Sequence, residues 1–385
     1  MYIATAQGLA ESLPRWHQAD PLALDTEFIR VDTFFPRLGL IQLGDGRGEA
    51  LLDPLAVRDL SPLSGLLGPQ GPLKILHACS EDLEVLAPLA QDGLGEIHDT
   101  QIALAFLGEG LQLGYQGALQ RVLGIEIPKD ASRSDWLQRP LTAQQRDYAA
   151  LDVRHLPALH AALVERLQGR DLFDIYRHEC AEVCRVSALP DPDLVWQDHG
   201  HAWKLDRRGL AALRAIMAWR EREAVARDVP RGHLLKPLSA FELARRQPRN
   251  LLQLADIPEL NPRVARRDGE ALLGLIAAAR ALPESECPSL QPPPLPREAG
   301  SVYDALKLAL QPVAADLGLP LEVLWRKRLA DRLALTAVDD GIDAAIACLS
   351  GWRAPVLRAA VQAVLAAHAD SLAAWGAQRR RAIAP

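Results

Sequence analysis

The sequence predicts an α/β domain, a mixed sheet with helices on its faces, followed by two domains built from helices alone. Three observations carry this expectation. Residues 22–53 contain three apolar runs of strand length, and the chain beyond them alternates strand-like runs with helical periodicity. Pro190-Asp191-Pro192-Asp193 interrupts the pattern, and after Leu205 apolar residues recur at helical spacing. A proline-rich stretch at 284–296 then divides this helical half in two, as a semi-rigid spacer would. The expected domains are 1–190, 204–282 and 298–375, joined by linkers at 191–203 and 283–297.

The first strand is Leu22-Ala23-Leu24-Asp25-Thr26-Glu27-Phe28, continued by Ile29 and Val31. Side chains alternate faces along a strand, so Asp25 and Glu27 emerge together. Two carboxylates held close on a buried surface repel each other and lose hydration, which a cation between them relieves. Acids at a strand end that simply point into water are the plainer alternative. Leu38–Leu43 and Ala50–Asp53 predict two further strands, with Gly44-Asp45-Gly46 as the hairpin turn. A helix is expected from Leu60 to Leu67 and a fourth strand from Leu73 to His77. Ser80 then reads as an N-cap with Glu81 and Asp82 in the first helical turn, where the dipole favours negative charge.

Asp99-Thr100 caps a helix over 101–107, and Gly124 ends another that begins near Gly114. Lys129 to Pro140 is polar and aperiodic, the pattern of a functional loop or lid. Thr142 and Gln145 form a capping box, opening a helix whose core stripe is Leu151, His155, Leu159 and Leu163. Tyr148 and Asp152 lie one turn apart on a neighbouring face of it.

Bulk composition narrows the function classes. Of 385 residues, 49% are hydrophobic and 24% charged, the balance of a soluble globular protein. No apolar run of about eighteen residues predicts a membrane span. The N-terminus has no basic residue followed by an apolar run, so no secretory signal is expected. Five scattered cysteines, Cys79, Cys180, Cys184, Cys287 and Cys348, point to reduced thiols and a cytoplasmic location. The net charge of −6 conceals a basic middle: nine Lys/Arg against four Asp/Glu from Lys204 to Lys236, and six against two from Arg245 to Arg267. Such a stretch is either a nucleic-acid face or a salt-bridged helical bundle.

Taken in order, the Asp-Thr-Glu strand, the Ser-Glu-Asp-Leu-Glu helix start and the Tyr-x-x-x-Asp helix resemble the DEDD superfamily of 3′→5′ exonucleases, in its tyrosine-marked branch. Leu-Asp-Thr-Glu-Phe, Pro-Arg-Leu-Gly-Leu-Ile-Gln-Leu, His-Ala-Cys-Ser-Glu-Asp-Leu-Glu-Val and Trp-Leu-Gln-Arg-Pro-Leu-Thr sharpen the likeness to the ribonuclease D family over about residues 1–190. Trp-Arg-Glu-Arg-Glu-Ala-Val-Ala-Arg-Asp-Val-Pro-Arg and Leu-Leu-Gln-Leu-Ala-Asp-Ile-Pro-Glu-Leu resemble an HRDC domain, an auxiliary nucleic-acid-binding module, over about 204–282. Residues 302–374 are similar to a second, diverged HRDC-like module.

The resemblance implies a ribonuclease H-like catalytic domain with Asp25, Glu27, Asp82 and Asp152 as metal ligands and Tyr148 as the fifth catalytic residue. It also implies substrate contacts at Thr26, Phe28, Gln42, His77, Lys129, Trp136 and Arg139. Phosphodiester hydrolysis by such a set uses two divalent ions, Mg²⁺ or Mn²⁺, about 3.5–4 Å apart, and hard ions of this kind take oxygen ligands. In the implied arrangement Asp25 bridges both ions, Glu27 and Asp152 complete one shell, and Asp82 holds the other ion directly or through water. Tyr148 would orient the attacking water, because a phenol titrating near 10 stays protonated at neutral pH. The implied activity is stepwise release of nucleoside 5′-monophosphates from RNA with a free 3′ end, tRNA precursors and small structured RNAs among them, by a monomer. A DNA-directed exonuclease of the same superfamily and a catalytically silent RNA-binding protein are the alternatives. Two rival metal sites, the Tyr176–Cys184 segment with its His and Cys residues and the His199-Gly200-His201 turn, rank below the acids.

Overall fold

The structure is a computed structural model that describes residues 1–128, 134–185 and 189–384. Its sheet is built from β1 (Tyr2–Ile3), β2 (Leu22–Ile29), β3 (Arg37–Gly44), β4 (Glu49–Leu52), β5 (Lys74–Leu76) and β6 (Ile97–Asp99). The spatial order is β1-β4-β3-β2-β5-β6. Strands β2, β3 and β4 pair antiparallel, and β2–β5, β5–β6 and β1–β4 pair parallel. This is the expected mixed sheet, extended at both edges by the two short strands β1 and β6, which lie too close to helices to read alone.

Eight helices accompany it: α1 (Ala6–His17), α2 (Leu63–Leu67), α3 (Ser80–Leu86), α4 (Thr100–Phe106), α5 (Tyr115–Leu123), α6 (Ala143–Arg154), α7 (Leu156–Gln168) and α8 (Phe173–Val183). α1 was not anticipated, although Thr5 caps it by accepting from the Gly8 N–H. The capping box of Thr142 and Gln145 is present at the start of α6. The helix expected to run through His155 is in fact two. His155 ends α6, and Pro157 sits in the first turn of α7, where its missing N–H costs nothing but where it could not continue a helix. Ser80 is the first helical residue of α3 and not its cap: Cys79 holds the cap position and no side chain caps there.

The C-terminal half repeats one sequence of helix lengths. It runs α9 (Arg207–Ala226), α10 (Arg231–Leu234), α11 (Pro237–Arg246), α12 (Leu251–Ala255) and α13 (Pro262–Ala281). The order long, short, medium, short, long recurs in α14 (Gly300–Asp316), α15 (Leu321–Leu324), α16 (Lys327–Asp339), α17 (Ile342–Ala347) and α18 (Arg353–Ala367), to which α19 (Ala369–Ala382) is added.

These two sets of helices bury their apolar faces differently. Leu210, Leu213 and Ile216 of α9, Leu243 of α11 and Leu272 and Ile276 of α13 form a core of their own. Val302, Leu306 and Leu310 of α14 and Leu357 and Val361 of α18 instead join the core that contains Leu24, Ile41 and Ile75 of the sheet. Phe106 of α4 and Trp352 meet at that seam with ring centroids 5.8 Å apart. Glu179 of α8, fully buried, accepts there from the Trp352 indole N–H (2.8 Å), from the Arg353 guanidinium (3.0 Å) and from Arg326.

Candidate active site

Strand β2 carries the first two acids, and its neighbours leave them room. Pairing of β2 with β5 covers only Leu22 and Ala23, so further along, that edge of β2 is open. The Thr26 N–H, which a longer β5 would have engaged, donates instead to Asp82 Oδ1 of α3 (3.1 Å), and the Thr26 hydroxyl donates to the same oxygen. A bulge between Glu27 and Phe28 shifts the β2–β3 register. Both residues flanking the bulge line one cavity.

That cavity, of about 420 Å³, is lined by Asp25, Thr26, Glu27, Phe28, His77, Glu81, Asp82, Tyr115, Tyr148 and Asp152, with Leu24, Ala78 and Leu156 at its apolar wall. One carboxylate oxygen from each of Asp25, Glu27 and Asp152 lies within 4.8 Å of the others. The i, i+4 spacing in α6 stacks Tyr148 over Asp152, and the Tyr148 hydroxyl donates to the Asp152 carboxylate. Three oxygen donors from two elements, with no thiolate among them, fit a hard divalent cation. Asp82 lines the same cavity, with one oxygen accepting from Thr26.

The electrostatics are those of carboxylates crowded together away from water, a cluster that a divalent cation would neutralise. Burial and then the charges of Asp82, Asp152 and Glu27 push the Asp25 carboxyl well above the usual range. Glu27 is pushed up to about 9 by burial and by Asp152 and Asp82. Asp152 rises to about 7, mainly through burial against the opposing hydrogen bond from Tyr148, and Asp82 to about 6, mainly through burial against the bonds from Thr26. Burial and the neighbouring carboxylates raise Tyr148 above the phenol range, so it is protonated at neutral pH.

The remaining sequence-derived positions divide. Thr26, Phe28 and His77 line the cavity. His77 offers its ring rather than a hydrogen bond, since Nε2 donates to the Leu113 carbonyl (2.9 Å) and Nδ1 faces the Thr100 hydroxyl (2.9 Å). Gln42, Trp136 and Arg139 are not among the residues that line the cavity. Gln42 is paired opposite Asp25 but wholly buried beneath α6. Trp136 is buried against Gly39, where a Cβ would stand 2.7 Å from the Trp136 carbonyl, so glycine is what allows this close approach. The guanidinium of Arg139 is committed to Asp53 in two bonds of 2.7 Å and to the Gly39 carbonyl (2.6 Å). Trp136 and Arg139 fasten the segment before α6 to the sheet, so from 134 on it is packed against β3 and β4. Lys129 and the rest of 129–133 lie outside the described residues.

Tyr115, Glu81 and Asp99 were missed. Tyr115, the first residue of α5, enters the cavity wall beside His77, and nothing in its sequence neighbourhood signals that. Asp99 was read only as a cap; its carboxylate also accepts from the Ala78 and Cys79 N–H groups (3.0 Å each), fixing the turn that starts α3. Of the rival metal sites, the α8 segment supplies Cys184 to a buried group with Cys79 and Asp99, whose carboxylate is already occupied by these N–H donors. His199 Nε2 donates to the Pro237 carbonyl, an ordinary structural bond.

Much of the basic excess of the middle region is paired internally: Arg220 and Arg231 with Glu221, Arg227 with Asp268, Arg245 and Arg246 with Glu242. Arg214, Arg249, Arg263 and Arg266 have no acidic partner among the described residues, so part of the positive field remains. No helix among them is long and apolar enough to cross a membrane.

Comparison with known proteins follows the same division. Residues 1–168 match the family model described as 3′-5′ exonuclease, and residues 209–276 match the HRDC domain. Ribonuclease D of Pseudomonas paraeruginosa is 42% identical over 91% of this chain and 94% of its own length. Ribonuclease D of Escherichia coli is 34% identical over 86% of this chain and 88% of its own. The crystal structure of Escherichia coli RNase D, described as an exoribonuclease involved in structured RNA processing, superposes with a TM-score of 0.87 at 32% identity, covering 96% of this chain and 99% of that one.

Proposed function

From the premise that this chain belongs to the ribonuclease D family and is a 3′→5′ exoribonuclease involved in RNA processing, we propose that hydrolysis takes place in the acidic cavity between β2, α3 and α6. Divalent metal use comes with the exonuclease domain. Asp25, Glu27 and Asp152 would hold one ion, and Asp25 with Asp82 would hold a second. The observation that carries this is the convergence within 4.8 Å of carboxylate oxygens from two distant places in the chain, Asp25 and Glu27 of β2 and Asp152 of α6. When bound, the two cations, Mg²⁺ or Mn²⁺, neutralise the scissile phosphate and the departing 3′-oxygen.

The protein's own groups do the rest. Tyr148, protonated and tied to Asp152, accepts a hydrogen bond from the attacking water and aims it at phosphorus. Thr26 keeps Asp82 turned toward the cavity. Phe28 and the His77 ring flank the terminal nucleoside. The recurrence of helix lengths in α14–α18 supports reading that region as a second HRDC-like module. tRNA precursors and small structured RNAs with unpaired 3′ ends are the substrates that fit best, with the unpaired arginines of the middle region meeting their phosphates.

The test is a time course on one 3′-extended RNA and its matched DNA with Mg²⁺ or Mn²⁺. Wild type is expected to release nucleoside 5′-monophosphates from the RNA, and Asp25→Asn to cut slower by at least about three orders of magnitude. Faster digestion of the DNA would overturn the choice of substrate, and full activity in Asp25→Asn would overturn the site.

A further inference from the structure

Beyond Glu27, β2 runs two more residues, roughly 7 Å, before the chain leaves the sheet at Ile29. The loop at 30–36 therefore stands next to the cavity that Phe28 lines, and it is held from two sides. Arg30 pairs with Glu84 on α3, the helix that carries Asp82. From the other side, Asp228, just after α9, accepts through one oxygen from two successive backbone N–H groups, Phe34 (3.0 Å) and Phe35 (2.9 Å). Arg231 lays its guanidinium over the Phe34 ring, 4.6 Å from the centroid. The Phe34 and Phe35 rings meet edge to face at 4.9 Å. So supported, the loop nevertheless leaves Phe35 44% and Val31 70% exposed.

An aromatic ring kept in water on a pinned loop, flanked by Arg37 and following directly on the strand whose Phe28 lines the cavity, has the make-up of a single-strand platform: bases stack on the ring and cations meet the phosphates. Resting on the reading of the cavity given above, we propose that Phe35 stacks an unpaired base of the RNA a short way upstream of the 3′-terminal nucleotide, and that Asp228 is a positioning residue that holds Phe35 in place from the helical half. A base locked in a duplex presents no free face to the ring, so the platform takes RNA with an unpaired 3′ tail. It also makes α9–α13 part of substrate binding through a contact that touches no RNA itself.

The experiment compares wild type, Phe35→Ala, Phe35→Tyr, Asp228→Ala and Asp228→Asn on a single-stranded RNA dodecamer and on a dinucleotide of the same 3′ sequence. Binding of the dodecamer is measured separately in Ca²⁺ by anisotropy. Phe35→Ala is expected to raise KM for the dodecamer roughly tenfold more than for the dinucleotide, with little change in kcat, and to weaken binding in Ca²⁺ to the same degree. Phe35→Tyr, which keeps the ring, restores wild-type behaviour. Asp228→Ala follows Phe35→Ala in direction, and Asp228→Asn, which keeps the acceptor oxygen, does not. Equal dodecamer binding by wild type and Phe35→Ala, or equal losses on both substrates, overturns the platform. A wild type that binds the dodecamer in a Phe35-dependent way but does not cut it overturns the reading of the cavity instead.

Discussion

Glu179 and Asp25 are both carboxylates withdrawn from water, one at the seam between α8 and the last helices, the other in the cavity. Burial pushes Glu179 up, but Arg353, Arg326 and the Trp352 indole outweigh it and hold the carboxyl below its usual range. Among the charged groups that shift Asp25, every one is another carboxylate. Buried acids of the first kind are finished structure: charge and hydrogen-bonding capacity are met inside the chain. Those of the second kind have no counter-charge among the groups that shift them, and a bound cation would supply one. It is this charge deficit that supports placing the proposed hydrolysis in the cavity.

The sharpest way to break this contrast is Glu179→Ala. It leaves Arg353, which is itself buried, without its counter-charge, and urea unfolding is expected to show a loss of about 3–5 kcal/mol. Because α14–α18 share the core of the sheet, that loss should appear in one transition covering both. An independent transition of the last helices would contradict the fused core.

Asp25→Asn is expected to go the other way and stabilise the metal-free chain by about 1–3 kcal/mol while cleavage disappears, because it removes one repelling charge from the cluster. A destabilised metal-free variant would mean the acids are already compensated.

The pH dependence follows with opposite signs at the two sites. A carboxyl with a lowered folded-state pKa, as at Glu179, adds stability above the unfolded value of 4.5 and loses it as pH falls through the folded value. A carboxyl with a raised value does the reverse: the unfolded chain ionises first, so stability falls as pH rises from about 4 toward about 6 for Asp82, 7 for Asp152 and 9 for Glu27. The metal-free melting temperature should therefore decline from mildly acidic to alkaline pH. Adding Mn²⁺ should raise it by a few degrees at pH 8 and scarcely at pH 5, and Asp25→Asn should blunt the gain. A metal effect independent of pH would break the link between the raised carboxyls and the ion.

Tyr148→Phe gives the smallest change in the fold, within about 1 kcal/mol, since it removes one hydroxyl from a half-open cavity. Its cleavage should nevertheless slow about a hundredfold, the usual reach of one group assisting a proton transfer. Near-wild-type cleavage would remove Tyr148 from the role of orienting the water.

The parts of the site that could be read early are those governed by local periodicity. Period 2 puts Asp25 and Glu27 on one side of a strand, and a spacing of four stacks Tyr148 on Asp152. Asp82 was legible only through its sequence neighbourhood, because nothing local says that its carboxylate will meet the open edge of β2. The segment holding Trp136 and Arg139 was read as a functional loop or lid since it is polar and aperiodic, yet the polarity of Arg139 satisfies Asp53 and the Gly39 carbonyl. Glu179 lay within a segment weighed as a metal site, and its three partners come from residues more than 140 positions later.

By itself the order of residues determined the mixed sheet, the helical second half and the kind of chemistry, because strand and helix periods and the donor types of the acids are local properties. Only the folded chain decided which acids are neutralised from within and which crowd together without a counter-charge, that one helical set fuses with the sheet's core while the other keeps its own, and that Asp228 reaches Phe34 and Phe35. Those outcomes depend on contacts between residues far apart in sequence, where burial and charge act through space and leave no periodic trace along the chain.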